Sequence, residues 1–387
     1  MAVPVPLIYL IAGEASGDVL GGRLIAALRA ARPELEFAGI GGEAMAQAGI
    51  ISLFPIQELS LMGLLEVLPN IRRLARRLRE TVADIAARGP AVVVTIDSPG
   101  FTLRVLRAIA PLGIPRAHYV APQAWAWRES RVRHFPGLWE SLLCLLPFEP
   151  AFFARHGLAG EFVGHPVLES GADTGDAARF RARHGIAGSQ LVVTLMPGSR
   201  TTEVSRLLPV LGKTLSLVAE RVPGLVPVVP VAAPVAQAVI AGTSTWPIRP
   251  IVVTDTAEKH DAFAASAVAL TKSGTSTLEL ALAGVPMLVT YRVNPLTAAI
   301  ARRLVKVKYV SLVNLLAGRE VVPELIQQQS RPDLLAATMV ELLTDPAAAQ
   351  YQRDAFRAVI DNLRPADGLP SEAAAAAVLR LLAPQAS

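Results

Sequence analysis

The sequence contains little cysteine, few aromatic side chains and little charge. A single cysteine, Cys144, excludes an intrachain disulfide and a zinc site built from cysteines, and it suits a reducing compartment. Aromatic residues make up 5% of the 387-residue chain and are not interleaved with basic segments, so we expect no nucleic-acid binding. Charged residues make up 18% and hydrophobic residues 52%, a balance that excludes a mainly disordered chain.

Motifs for binding a metal ion or a nicotinamide are missing. The chain has no DxD triplet and no histidine cluster with ligand spacing, and its first glycine loop lacks GxGxxG spacing. We therefore expect a reaction that uses no metal ion and no other cofactor, and hydride transfer loses support. The net charge of +5 agrees with acidic partners such as nucleotide phosphates or anionic lipid head groups.

Short β-branched runs alternate with Ala-, Leu- and Arg-rich stretches of helical period. The alternation begins at LIYLIA (Leu7–Ala12) and predicts parallel strands joined by crossover helices. After a glycine-rich stretch at 169–190 it restarts with LVVTLMPGSRTTE, which is built like the first strand and loop. The sequence thus predicts an α/β protein with two doubly wound, Rossmann-like domains facing an interdomain cleft.

The same pattern places the domain boundaries. We assign 1–168 to an N-terminal domain and 169–345 to a C-terminal domain. The Ala- and Leu-rich stretch 346–387 is predicted to form C-terminal helices that pack back on the N-terminal domain or on a partner subunit.

Two loops of the first half follow predicted strands. The backbone of GEASGD can hold an anion or hydroxyl groups at a helix start, and its candidate binding residues are Glu14, Ser16 and Asp18. The alternative is that Ser16 or Asp18 caps that helix. Asp97 ends a strand that should be central, where its carboxylate could act as a general base; capping of the next helix is the alternative.

In the second half, MPGSRTTEV places Ser199 and Arg200 at another strand-to-helix turn. A hydroxyl, a fixed cation and backbone N–H groups together could neutralise a pyrophosphate leaving group, although an ordinary surface arginine remains the alternative.

The segment TKSGTSTLE contains a further loop of this kind. Its KSGTST residues can wrap phosphates, and Glu279 could accept two ribose hydroxyls; the alternative is a first-turn charge favoured by the helix dipole. The candidate binding residues of this loop are Lys272, Gly274, Thr275, Ser276 and Thr277.

Two further stretches combine apolar and basic residues. Leu59 to Glu80 and Ala301 to Val310 could lie on an anionic membrane, and the alternative is an amphipathic core helix with a solvated basic face. In the first stretch an apolar tip precedes a basic run, which we expect to contact the membrane together: Leu61, Met62, Leu64, Leu65, Arg72, Arg73, Arg76, Arg77 and Arg79.

Eight motifs in order along nearly the whole chain resemble the lipid-A-disaccharide synthase family, glycosyltransferase family 19. These motifs are IAGEASGD, IDSPGF, YVAPQAWAW, LPFEP, FVGHP, MPGSR, KSGTSTLE and SLVNLLAGREVVPELIQ. The resemblance implies a GT-B fold and transfer of 2,3-diacylglucosamine, with inversion, from its UDP derivative to 2,3-diacylglucosamine 1-phosphate. It also implies a peripheral protein on the cytoplasmic face of the bacterial inner membrane, and it leaves a homodimer open.

The resemblance also suggests residue roles. Asp97, Arg200 and Asn314 fall on family positions associated with activity, and Glu279 on the nucleotide-ribose position. The family often has an acidic residue and an asparagine where this chain has Gly100 and Thr102, so no role is carried over to those two.

Two other functions fit the same architecture. A UDP-N-acetylglucosamine 2-epimerase would isomerise its substrate without any dependence on acyl chains. A non-catalytic protein that binds a nucleotide sugar or a lipid is the other alternative, although donor loops and a candidate base coexist here.

Overall fold

A computed structural model of the protein describes residues 5–59, 64–127, 129–294 and 307–382. The chain divides into two compact units, of which the first comprises residues 1–166 and 363–387 and the second comprises 167–362. No helix within the described residues is long and apolar enough to span a membrane.

The described part of the first unit contains a parallel sheet in the order β2-β1-β3-β4-β5-β6. Central strand β3 is buried at every position, as expected for a parallel sheet with both faces covered. The strands are β1 (Leu7–Ala12), β2 (Glu36–Ile40), β3 (Val92–Ile96), β4 (Arg116–Tyr119), β5 (Ser141–Cys144) and β6 (Glu161–Phe162). The helices between them are α1 (Ala15–Ala31), α2 (Glu43–Gln47), α3 (Leu64–Arg88), α4 (Pro99–Ile109) and α5 (Glu149–Ala154).

The second unit repeats this design, with strand order β12-β11-β10-β7-β8-β9 and parallel pairing throughout. Its strands are β7 (Leu191–Met196), β8 (Leu225–Pro230), β9 (Ile251–Val253), β10 (Ser266–Lys272), β11 (Met287–Tyr291) and β12 (Glu324–Ile326). Its helices are α6 (Ala177–His184), α7 (Thr201–Ala219), α8 (Ala236–Thr243), α9 (Thr256–Ala265), α10 (Ser276–Leu282), α11 (Leu312–Ala317), α12 (Pro332–Thr344) and α13 (Pro346–Asp361). The prediction of two doubly wound α/β sheets is confirmed.

The C-terminal helices are divided between the two units. Helix α13 belongs to the second unit, where the Gln352 side chain accepts a hydrogen bond from N–H of Met287 (2.7 Å) and donates one to its carbonyl (3.0 Å). Helix α14 (Pro370–Arg380) returns to the first unit and packs on α1. The boundary between the first unit and the second lies after Pro166. The segment from residue 346 onward is divided between the two units, with residues up to 362 in the second and those from 363 in the first.

The register of each sheet brings the predicted site loops together in pairs. Ala12 at the end of β1 lies beside Ile96 at the end of β3, and a Cβ on Gly13 would overlap the side chain of Ser98. In the second sheet Met196 of β7 lies beside Thr271 of β10. Within each unit, the two loops that carry candidate site residues are therefore neighbours.

The two segments predicted to lie on a membrane are only partly within the described residues. Residues 60–63, which include Leu61 and Met62, and residues 301–306 lie outside them, and the side chains of 64–70 are not described. In the rest of α3, Leu74 and Leu78 pack against the core of the first unit, and Leu59 before it is 5% exposed. The apolar side of this half of the segment thus packs on the core, and contact of its basic side with a membrane stays a prediction.

Candidate active site

A cavity of about 440 Å³ opens at the carboxyl ends of β7, β8, β9 and β10 in the second unit, a size typical of small-molecule sites. One wall comes from the turns at 230–233 and 253–256, which follow β8 and β9. Another part of the wall contains predicted UDP-sugar residues, namely Ser199, Lys272, Thr275, Ser276 and Glu279. Residues separated by 80 positions in the sequence thus meet at one site.

A buried carboxylate, Glu203 in the first turn of α7, joins the two loops of this wall. Its Oε1 accepts a hydrogen bond from Nζ of Lys272 (2.9 Å), and its Oε2 accepts one from N–H of Ser199 (3.1 Å). The Nη1 atom of Arg200 lies 3.6 Å from Oε1. Glu203 was not among the predicted site residues, although an acid three residues into a helix commonly bonds back to the turn before it.

The Arg200 side chain remains 53% exposed at the N-terminal end of α7. Gly198, two residues earlier, has φ of +112°, which an L side chain rarely adopts, and a Cβ there would overlap Glu203. The turn before α7 thus folds around the carboxylate of Glu203, and the guanidinium of Arg200, next in the chain to the lining residue Ser199, is exposed to solvent.

Glu279 lines the cavity together with Lys259, which was not among the predicted site residues. Nζ of Lys259 in α9 donates a hydrogen bond to Oε1 of Glu279 (3.0 Å), and both side chains line the cavity. The ammonium of Lys259 also lies 5.7 Å from the ring centre of Phe263. Its position 20 residues before Glu279, on another helix, gave no local signal of this contact.

The KSGTST loop has both cavity-facing and structural residues. Thr277 is buried, and its hydroxyl donates to the carbonyl of Gly274 (2.8 Å), so these two predicted residues hold the loop and do not line the cavity. Gly274 has φ of +151°. Ser273 donates from its hydroxyl to the carbonyl of Val310 (2.6 Å), which ties the loop to the segment before α11.

Asn314 is fully buried, and its side chain makes four hydrogen bonds. Its Nδ2 donates to the Val322 carbonyl (2.8 Å) and to Oε1 of Glu324 (2.8 Å). Its Oδ1 accepts from N–H of Val321 (2.7 Å) and of Val322 (2.9 Å). Because an amide has two donors and two acceptor lone pairs, this side chain is saturated. The structure thus shows Asn314 held by four hydrogen bonds within the protein, and the catalytic role that the resemblance implied stays a prediction.

Glu324 extends the Asn314 network toward the KSGTST loop. Its carboxylate accepts hydrogen bonds from N–H of Val310 and N–H of Ser311, both at 2.9 Å. Val310 is the residue whose carbonyl receives the Ser273 hydroxyl. Asn314 is thus connected to the donor loop through Glu324 and Val310.

In the first unit Asp97 lies at the carboxyl end of β3 in a strained turn. Asp97 and Ser98 have φ of 51° and 48°, in the left-handed region. The Asp97 backbone is held by its N–H, which donates to the Tyr119 carbonyl (2.9 Å), and by its carbonyl, which accepts from the Thr102 hydroxyl (2.7 Å). Burial raises the pKa of the Asp97 carboxyl, and a hydrogen bond from the Ser98 backbone opposes that shift. A raised pKa suits a proton acceptor.

The three candidate acceptor residues of GEASGD have different environments. Glu14 is the N-cap residue of α1 and makes no side-chain cap bond, and Ser16 is exposed. Asp18 is 6% exposed, and its carboxylate accepts N–H bonds from Gly42 (2.7 Å), Ala44 (2.9 Å) and Met45 (3.1 Å). Asp18 therefore caps the N-terminal end of α2, and the acceptor role predicted for it stays a prediction.

Across the described ranges, no group of three or more His, Cys, Asp or Glu side chains could hold a metal ion. Two cationic side chains, Lys259 and Lys272, line the cavity, and Arg200 follows the lining residue Ser199 in the chain.

Solved structures of low sequence identity have the same fold as this chain, among them a UDP-GlcNAc 2-epimerase from Neisseria meningitidis with a TM-score of 0.61 at 13% identity, covering 92% of this chain and 99% of that one. A co-structure of S. aureus MnaA with UDP superposes with a TM-score of 0.62 at 14% identity and covers 95% of this chain and 94% of that one. Acinetobacter baumannii MurG superposes with a TM-score of 0.59 at 14% identity and covers 97% of this chain and 99% of that one. The protein thus has the GT-B-type fold found in glycosyltransferases and in epimerases.

Sequence similarity then separates these classes. A family model described as lipid-A-disaccharide synthetase matches residues 8–378. The lipid-A-disaccharide synthase of Granulibacter bethesdensis is 58% identical over 388 residues, which covers 97% of this chain and 99% of that protein. The chain belongs to the lipid-A-disaccharide synthase family and is a glycosyltransferase. The likeness to epimerases concerns the fold alone.

Proposed function

We propose that the protein transfers 2,3-diacylglucosamine from UDP-2,3-diacylglucosamine to 2,3-diacylglucosamine 1-phosphate. The products are a β(1→6) disaccharide and UDP, with inversion at the anomeric carbon. The observation that carries this proposal is the cavity of the second unit, which is lined by a carboxylate suited to a ribose, Glu279, together with Ser199, Lys272, Thr275 and Ser276.

The proposed donor site follows from the charges on that wall. Glu279 accepts the ribose hydroxyls, and Lys272, Arg200 and the turn at Ser199 neutralise the pyrophosphate. Negative charge grows on the leaving UDP as the glycosidic bond breaks, and fixed cations stabilise that charge. The enzyme needs no covalent glycosyl intermediate, because inversion takes a single displacement.

Asp97 is the proposed general base. Its carboxylate takes the proton from the 6-hydroxyl of the acceptor as that oxygen attacks the anomeric carbon of the donor. Its raised pKa and its position at a strand end beside the GEASGD loop support this role. Glu14 and Ser16 at the start of α1 are the proposed acceptor contacts.

Binding to the membrane surface is the last part of the proposal, and we place it on the cytoplasmic face of the bacterial inner membrane. The proposed substrates carry acyl chains, so they reside in a bilayer. Within the described part of α3, Arg72, Arg76 and Arg79 are exposed and spaced at 4 and 3 residues, which places them on one helix face. Such a face attracts anionic lipid head groups.

The direct experiment is an assay of the purified protein with UDP-2,3-diacylglucosamine and 2,3-diacylglucosamine 1-phosphate. We expect equal amounts of disaccharide and UDP, with a β anomeric configuration in the product. Conversion of UDP-N-acetylglucosamine to its 2-epimer without disaccharide would instead support the isomerase alternative. Binding of the donor without turnover would support the non-catalytic one.

A further inference from the structure

We propose that Glu203 is a positioning residue for the donor phosphates, acting through Lys272 and the turn at Gly198–Arg200. This inference rests on the proposed function, because it assumes that the phosphates of a UDP-sugar occupy the cavity. Glu203 does not line that cavity but lies behind its wall. Its carboxylate has the same charge sign as a phosphate, so it would not be a ligand for one.

The first argument is the burial of a charged group. The Glu203 side chain is 7% exposed and that of Lys272 is 17% exposed, and a buried charge is tolerated when it is paired and hydrogen-bonded. Nζ of Lys272 is held at 2.9 Å from Oε1 of Glu203. An ammonium has three N–H donors, so this bond fixes the position of Lys272 and leaves two donors for ligand oxygens.

The second argument is the shape of the loop before α7. Gly198 adopts a φ of +112°, and a Cβ on it would overlap the carboxylate and the Cβ of Glu203. N–H of Ser199 donates to Oε2 of Glu203 (3.1 Å). The backbone is therefore folded around this side chain, which places Ser199 in the lining of the cavity and Arg200 next to it in the chain.

The third argument is that one carboxylate holds residues from two loops. Lys272 follows β10 and Ser199 follows β7, and these strands are neighbours in the sheet. Without Glu203 the ammonium and the Ser199 turn would lose their common anchor. A cationic side chain that is not held in place binds a phosphate more weakly, because it must be ordered when the phosphate binds.

The test compares UDP with uridine, since only UDP carries phosphates. We expect Glu203→Ala to weaken UDP binding by at least about tenfold in calorimetry, because it removes the charge-assisted hydrogen bonds that hold Lys272 and the Ser199 turn. Uridine binding, measured by competition, should change by less than about twofold. Glu203→Gln keeps the shape and one acceptor for Ser199, and it should recover part of the loss. Glu220→Ala, at the other end of the same helix, is the matched control.

A double-mutant cycle separates positioning from a general structural effect. If Glu203 acts through Lys272, then Glu203→Gln should change the UDP affinity much less in a Lys272→Met background than in the wild type. Equal losses in both backgrounds, or equal losses for UDP and uridine, would overturn the proposal. So would a Glu203→Gln variant that does not fold, because the residue would then be structural.

These binding results do not depend on turnover. If the wild-type protein binds UDP but forms no disaccharide, the proposed transfer is refuted. The double-mutant cycle of Glu203 and Lys272 would still test whether Glu203 positions the groups that bind the phosphates. A wild-type protein that forms disaccharide, with Glu203 variants of unchanged UDP affinity, would keep the transfer and refute this inference.

Discussion

Nζ of Lys259 lies 3.0 Å from Oε1 of Glu279, and both side chains face the same cavity. The two groups are about one-fifth exposed, so the pair is only partly screened by solvent. Lys259 occupies one carboxylate oxygen and thereby orients the other. In the proposed donor site, this second oxygen is available to the hydroxyls of the ribose.

The first prediction follows from that orientation. Glu279→Ala should weaken UDP binding by about tenfold, since hydrogen bonds between a carboxylate and ribose hydroxyls are lost. The same substitution should matter less for 2′-deoxy-UDP, which lacks one of these hydroxyls. Calorimetry with both nucleotides measures the difference. Lys259→Met is the comparison variant, because it keeps the Glu279 carboxylate and removes only its bond to Lys259. Equal losses for both nucleotides would remove Glu279 from the ribose.

The second prediction concerns Asp97. Asp97→Asn should abolish most of kcat, because an amide cannot take a proton, and should leave the UDP affinity unchanged. In the wild type, kcat/KM should fall as the pH decreases through the pKa of Asp97. Because burial raises that pKa, the fall should occur at a higher pH than it would for an ordinary aspartate. Near-normal turnover of the variant would exclude the base role.

The same pKa shift sets the sign of a stability effect. Because the folded-state pKa is raised, folded Asp97 binds its proton more tightly than the unfolded chain does, so its ionised form opposes folding at neutral pH. Asp97→Asn should therefore not lower Tm at pH 7. Any gain in Tm of the variant over the wild type should shrink as the pH falls from the raised pKa of folded Asp97 to the lower pKa of an unfolded aspartate. Thermal scans at several pH values measure this.

The third prediction is that Asn314→Ala acts on stability. The substitution leaves the buried N–H groups of Val321 and Val322 without their side-chain acceptor, and it removes one of the three hydrogen bonds that the carboxylate of Glu324 accepts. We expect a loss of about 2–4 kcal/mol in the free energy of unfolding, measured by denaturant titration. Asn314→Ala with wild-type stability and no turnover would instead indicate direct contact with the substrate.

The fourth prediction separates the arginines of α3. Arg77 is paired with Glu58 and Glu80, whereas Arg72 and Arg79 are exposed. The double substitution Arg72→Gln and Arg79→Gln should weaken binding to anionic vesicles on the order of tenfold at low salt, and the effect should fade as salt rises.

Two further variants complete the membrane test. Arg77→Gln should lower Tm with a smaller effect on vesicle binding, since it breaks ion pairs within the protein. Replacing Leu61, Met62, Leu64 and Leu65 with Ser should reduce vesicle binding and turnover of long-chain acceptor and keep the UDP affinity. If that variant binds vesicles as before, the contact lies elsewhere, first at Arg302, Arg303, Lys306 and Lys308.

The fold was predictable because hydrophobic periodicity encodes parallel strands and crossover helices directly. The positions of the loops followed from it, since adjacent parallel strands bring their carboxyl ends together at one edge. Ser199, Lys272 and Glu279 could be placed near one another on this basis. The same sequence pattern also contained a signal for Glu203, since an acid three residues after Arg200 falls in the first turn of the helix, where it can bond back to the loop.

The roles of single polar side chains could not be obtained in this way. Asp18 meets backbone N–H groups that lie 24 to 27 residues later, and a polar residue at a helix start looks the same whether it binds a ligand or caps a neighbour. Lys259 and Asn314 have the same difficulty. Their partners are set by tertiary packing, which a one-dimensional pattern does not record.

The return of α14 to the first unit has a consequence for synthesis. The second unit lies, in chain order, between two pieces of the first, and the last piece supplies Ala374, Ala375 and Val378 to the first core. Domains fold as units while the chain leaves the ribosome from its N-terminus. The second unit can thus complete its sheet while the first still lacks one wall. The half of this protein that is translated first is the half that finishes folding last.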